Sequence, residues 1–193
     1  MRRLPALFWL DIAVKFALVG LLLLAVLWPD LPQFEGKAMT GRALTYPLAV
    51  IVVPAWWWLR GRSRGSSYPY GIDICLALPF VIDVIGNALD LYDTIDWWDD
   101  LNHFVNWAIL TTGFGLFLIR LPLARLNTAA LMVGFGAVTA VLWEFAEYFT
   151  FIRGGPEENG AYTDTLGDLA LGLTGSTVAA LLIATLLWRP PPG

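Results

Sequence analysis

Six predominantly apolar stretches, residues 6–28, 43–59, 74–91, 101–119, 128–149 and 165–188, take up most of this 193-residue chain. Each comes near the length of about 20 residues that an α-helix needs to cross a bilayer. Nothing else in the sequence restricts the fold as much. Within lipid every backbone N–H and C=O must be satisfied inside its own segment, so such stretches form helices. Hydrophobic residues make up 58% of the chain and charged residues 15%, values outside the range of soluble domains. The expectation is an all-α integral membrane protein, a six-transmembrane-helix bundle forming one transmembrane domain over residues 1–193. The second stretch is short and carries Pro47 and Pro54.

The basic residues set a topology and exclude one class of partner. With both termini cytoplasmic, the inner side holds Arg2, Arg3, Arg60, Arg62, Arg64, Arg120, Arg125 and Arg189, and the outer loops hold Lys37, Arg42 and Arg153. This follows the positive-inside rule. The net charge is −4, and no basic patch is interleaved with exposed aromatics, so nucleic acid is not an expected partner. Membrane lipids are. Trp56, Trp57 and Trp58 before Arg60, and Trp97 and Trp98 at the opposite surface, read as interfacial anchors. The first stretch has the basic start of a signal peptide, but Asp11 and Lys15 interrupt it and Trp28-Pro29 ends it without a small-x-small cleavage site, so it is expected to be retained. Asp11 and Lys15 lie at i, i+4 and read as a structural ion pair. Cys75 is the only cysteine and reads as a small apolar side chain.

Against this background the carboxylates and the single histidine are conspicuous. Asp83, Asn87 and Asp90 lie at i, i+4, i+7; Asp99, Asp100 and His103 follow; then come Glu144 and Glu147, and Asp164 and Asp168. Each group shares one face of its own helix. At about 1.5 Å per residue, His103 lies roughly 6 Å inside its span, Asp168 roughly 5 Å and Glu144 roughly 7 Å, all measured from the outer surface. Asp90 joins that level, and Asp83 sits about 10 Å deeper. Two stripes of small residues, Gly136, Ala140 and Glu144 on one helix and Asp168, Gly172, Ser176 and Ala180 on another, each end in a carboxylate. Small-x-x-x-small stripes mark close helix contacts, which would bring Glu144 and Asp168 together.

Insertion scales charge about 2.5 to 3.5 kcal/mol for an Asp at a helix centre, so several together need joint compensation. No arginine is expected at that depth, and Lys15 belongs to the other surface, which leaves water, protons or a metal ion. One imidazole among carboxylates, with no thiol, favours Mg²⁺, Mn²⁺ or Ca²⁺ over Zn²⁺. The expected ligands are Asp90, Asp100, His103, Glu144 and Asp168. Glu147 is the expected general base, and Asp83, Asn87, Asp99 and Asp164 are expected behind the ligands. The substrate class that fits is a cell-envelope or phosphate-bearing lipid. A proton- or cation-coupled carrier using Asp83, and a non-catalytic scaffold, are the alternatives.

Three short motifs carry a family resemblance. Asp100-Leu-Asn-His103-Phe104, Glu144-Phe-Ala-Glu147, and Asp164-Thr-Leu-Gly-Asp168-Leu169 with Gly172 and Gly175 resemble the signature of the VanZ-like superfamily, and most closely its YjdF-type branch of small inner-membrane proteins. The resemblance covers residues 83–176 and implies a bacterial cytoplasmic membrane location. VanZ-like proteins are associated with teicoplanin resistance, whereas the YjdF-type branch has no settled activity. VanZ-type members typically carry Gln at the position of Glu147 and Asn at that of Asp168. Those departures add negative charge, which weakens a carried-over resistance role and favours a metal.

Overall fold

The computed structural model describes residues 5–190; Arg2 and Arg3, counted in the charge balance, lie outside them. All regular structure among the described residues is helical. The helices are α1 (Ala6–Leu27), α2 (Met39–Thr45), α3 (Pro47–Trp56), α4 (Tyr70–Ala88), α5 (Leu91–Thr94), α6 (Trp98–Leu118), α7 (Arg125–Glu147) and α8 (Ala161–Leu182). Wider π-type turns prolong α3, α7 and α8 over Trp57–Gly61, Tyr148–Ile152 and Ile183–Leu187.

Four helical segments, Ala6–Leu27, Tyr70–Ala88, Arg125–Thr150 and Ala161–Leu187, are long and apolar enough to cross a membrane. Helix α6 has 21 residues, but Asp99, Asp100, Asn102 and His103 in its first turns lower its hydropathy. The second expected span is two helices that meet at Tyr46, itself helical at φ −64. Pro47 begins the second of them, where its missing N–H is tolerated.

Several helices start earlier than the apolar pattern does: α4 at Tyr70, α6 at Trp98, α7 at Arg125 and α8 at Ala161. Hydropathy marks the part of a helix that lipid can surround, whereas its hydrogen-bond ladder runs on into polar surroundings. Helix α4, the third expected span, also ends earlier, at Ala88. Asp90 adopts a left-handed conformation, φ 58, and starts the short α5, so it does not continue the face of Asp83 and Asn87.

Three apolar clusters hold the described residues, the smallest formed by Ala25, Phe34 and Met39. Val14, Leu18 and Leu22 of α1 pack with Ala77, Val81 and Val84 of α4. Leu118 of α6, Met132 of α7 and Ala180 of α8 pack with Ile183 just beyond α8. Between that second core and the acidic end of the bundle, α8 lies against both α6 and α7, and missing side chains set the spacing. A Cβ on Gly136 of α7 would run into the Ser176 side chain of α8. A Cβ on Gly172 would come within 2.6 Å of the Trp107 ring, and one on Gly175 would overlap the Phe104 carbonyl. The two stripes of small residues therefore meet at Gly136 and Ser176, while Gly172 lies against α6, and Thr111 of α6 donates to Ser176 across 3.0 Å. Outward faces such as those of Phe16 and Leu126 stay exposed, as lipid contact requires.

Valine at Gly175 would overpack the α6–α8 contact and is expected to destabilise the detergent-solubilised protein by about 1 to 3 kcal/mol. Gly134→Ala, where nothing lies within 4 Å, is the matched control. Thermal unfolding should separate the two; equal midpoints would contradict the close approach.

Candidate functional site

Three polar clusters lie inside the apolar bundle, and they differ in how their charge is offset. At the end holding the start of α1 and α4, Lys15 donates to Asp11 at 3.2 Å and also to Asp73. The Tyr68 hydroxyl donates to Asp73 as well. The i, i+4 pair read from the sequence thus gains a second acid. Asp73 is fully buried in the first turn of α4, one residue before the apolar stretch, where hydropathy does not reveal it.

The second cluster surrounds Asp83. Arg42 reaches it in fork geometry, Nε to Oδ2 at 2.8 Å and Nη2 to Oδ1 at 3.1 Å. Tyr46 donates to it at 2.7 Å, Tyr92 at 3.1 Å and the Asn87 side chain at 3.4 Å. This corrects the expectation that no arginine stands at that depth: Arg42 lies on α2, at the head of the second helical pair, and points inward. Burial, and then the Asp83 charge, hold the Tyr92 phenol well above its ordinary pKa, so it stays a donor. The available signal was Asp83 itself, a deep acid with no cation on its own helix.

The third cluster has the histidine at its centre. Helix α6 supplies Asp99 and His103 one turn apart, α7 supplies Glu144 and Glu147, and α8 supplies Asp168. His103 Nδ1 lies 3.7 Å from Glu144 Oε1, and its Nε2 lies 3.7 Å from Asp99 Oδ1 and 3.6 Å from Asp168 Oδ1. Those separations are too long for hydrogen bonds. His103, Glu144 and Asp168 are all buried, and His103 Nδ1 has no hydrogen-bond partner. Two triads of possible ligand atoms share the imidazole, Asp99–His103–Asp168 and His103–Glu144–Glu147, each with its atoms within 4.8 Å of one another.

Not every expected residue joins this group. Asp100 is exposed, and Asp99, expected only behind the ligands, is the acid in contact range of the imidazole, being four residues before it on the same helix face. Asp90 is turned away by its place between α4 and α5. Asp83 and Asn87 belong to the arginine cluster. Asp164 is exposed, one turn before Asp168, on the wall of a neighbouring cavity.

That cavity measures about 530 Å³, within the range of small-molecule sites. Asp99, His103, Glu147 and Asp164 line one side, and Lys37, Arg42, Asp83 and Tyr92 line the other. Sequence reasoning did not foresee Asn102 and Asn106, on the α6 face of His103, or Trp143, one turn from Glu147, as parts of its wall. Glu144 and Asp168 stand behind His103 and do not line the cavity.

A helical membrane bundle with a buried acid–histidine cluster beside a polar cavity is the class that fold and site define. The chain belongs to a family described as predicted membrane protein (DUF2238), whose model matches residues 14–189. No curated protein and no solved structure matches it.

Removing one partner of the Asp83 cluster should show what it does. Arg42→Ala leaves a buried carboxylate uncompensated and is expected to lower stability by about 3 to 5 kcal/mol. Arg42→Met combined with Asp83→Leu should regain most of that loss. Thermal unfolding of the single and double variants checks it, and a double variant no better than the single would contradict an ion pair of structural origin.

Proposed function

We propose that Asp99, His103 and Asp168 hold a divalent cation, with Mg²⁺, Mn²⁺ or Ca²⁺ favoured over Zn²⁺, and that the site acts on a cell-envelope or phosphate-bearing lipid. In this reading α2–α3 and α6 complete six spans, both termini are cytoplasmic, and the site faces outward in a bacterial cytoplasmic membrane. The VanZ-like and YjdF-type resemblance rests on the three motifs alone and adds no activity.

One observation carries the reading. Lys15 serves Asp11 and Asp73, and Arg42 serves Asp83, but Glu144, Glu147 and Asp168 have no lysine or arginine within ion-pair distance among the described residues. Ligands about 2.1 Å from one centre sit about 3.0 to 3.4 Å apart in octahedral or tetrahedral arrangement; the two edges to the imidazole are 3.6 and 3.7 Å, and the whole triad lies within 4.8 Å, so the carboxylates would have to move inward around an ion. On the Nε2 side the ion would take Asp99 and Asp168. Glu144 would then accept from Nδ1–H, fixing the tautomer in the carboxylate–histidine–metal relation common to such sites. The Asp99 side chain is 46% exposed, so this side leaves coordination positions open to water and to a substrate oxygen, as a catalytic ion needs. Bound there, the ion would polarise that oxygen or lower the pKa of bound water. Glu147 lines the cavity and is not required as a ligand, which suits it to take a proton from water.

The carrier reading rested on Asp83 as a deep proton site. In the reading proposed here its bonds to Arg42, Tyr46, Tyr92 and Asn87 serve the fold.

Elemental analysis of the purified protein should find about one equivalent of divalent metal. Addition of Mn²⁺ at a hundred times its Kd should stabilise the protein by about 2.7 kcal/mol, a response abolished by His103→Ala or Asp168→Asn. No stoichiometric metal, with unaltered cation response in both variants, would overturn the site. Glu147→Gln should keep the metal and lose about 10² to 10⁴ in lipid turnover in mixed micelles; unchanged turnover would remove Glu147 from the chemistry.

A further inference from the structure

A second space adjoins the polar cavity. It holds about 310 Å³ between α3, α4, α6 and α7, its lining is almost wholly apolar, and Leu110 and Phe135 line both spaces. The same helix faces run through the two. On α6, His103, Asn106 and Leu110 face the cavity, and Leu110, Gly113 and Phe117 face the groove. These positions fall at spacings of three, four and three, then four residues, a single stripe. On α4, Asn87, Asp83 and Phe80 give way to Leu76 and Ile72 in the same manner. On α7, Glu147, Trp143 and Thr139 lead to Phe135, each one turn from the last. Three helices thus present faces that are polar at one end and apolar from the middle onward. From His103 to Phe117 the stripe is about 21 Å long at 1.5 Å per residue.

We infer that the site takes a single-chain anionic amphiphile, such as an alkyl or isoprenyl phosphate, with its head in the acid–histidine cavity and its hydrocarbon chain in the α3–α4–α6–α7 groove. This rests on the metal reading, because the cavity wall carries more acids than bases and an anionic head needs the cation to bridge it. The volume selects one chain: 310 Å³ is about ten times the share of one water in the liquid, about 30 Å³, and a methylene is close to a water in size. A second chain would have to stay outside among the lipids. Lys37 and Arg42, already paired with Asp93 and Asp83, frame the mouth and add no free positive charge.

The test uses full-length protein in phosphatidylglycerol nanodiscs with hexadecyl phosphate bearing a diazirine at its chain end. Photolysis followed by peptide mapping should place crosslinks on groove residues such as Val53, Trp56 and Phe117. Leu76→Trp, which fills the groove from α4, should reduce them at least fivefold with Mn²⁺ binding unchanged. Val52→Trp from α3 serves the same purpose should the first variant not fold. Crosslinks spread over outward residues such as Phe16 and Leu126 in the manner of surrounding lipid, or insensitive to both tryptophans while Mn²⁺ binds normally, would overturn the chain site and leave the metal reading intact. Absence of Mn²⁺ binding with groove crosslinks retained would overturn the metal reading and, with it, the seating of an anionic head in the cavity.

Discussion

Negative charge taken into a low-dielectric bundle has to be offset where it sits, and this protein does so in three places by different means. Lys15 answers two acids at one end, and Arg42 answers Asp83 in bidentate geometry with two tyrosines and an asparagine completing the shell. Among the described residues, Glu144, Glu147 and Asp168 beside His103 have no such cation. An imidazole can carry at most one positive charge, whereas Asp99, Glu144, Glu147 and Asp168 bring four negative ones if all are ionised. The divalent ion we propose, with water at its open positions, would supply that compensation. On the proposed reading the same contrast separates acids held by an arginine or lysine, which serve the fold, from those around His103, which would serve a ligand.

Packing determines that these acids meet at all. Helix α8 approaches α6 and α7 so closely because Gly172, Gly175 and Gly136 have no side chains to hold the backbones apart. The contact between Gly175 and Phe104 lies two turns below Asp168 on α8 and one residue from His103 on α6. The contact between Gly136 and Ser176 lies two turns from Glu144 on α7. Small residues in the middle of the bundle thus set the register at its polar end, so that enlarging one of them would move the ligand atoms as well as destabilise the helices. The cavity and the groove below it are lined by the faces of α4, α6 and α7 that this packing leaves open, polar near His103 and apolar beyond Leu110.

Much of this is legible in the sequence, for physical reasons. Long apolar runs can only be helices in lipid, and small-residue stripes ending in carboxylates can only be buried together, so the convergence of His103, Glu144 and Asp168 follows from period and depth. What escaped is equally instructive. Arg42 sits in a segment of turn-like composition and its inward path depends on α2, a short helix with no apolar period of its own. Asp99 and Asp100 stand four and three residues before His103 on the same helix, so period alone puts either within reach of the imidazole, and the side-chain conformations decide between them. Asp73 lies just before the apolar run it belongs to, where hydropathy and hydrogen bonding disagree about the helix start. Asp90 was placed by extending the period of α4 past its true end.

The central claim is that one cation is shared by side chains from separate helices, with the imidazole among its ligands. His103 is the only histidine of the chain, which makes one spectroscopic measurement decisive. Electron spin echo modulation of protein-bound Mn²⁺ should show coupling to a single imidazole nitrogen, and that coupling should vanish in His103→Gln. Bound Mn²⁺ with no nitrogen coupling in the unaltered protein, or coupling that survives His103→Gln, would contradict the account.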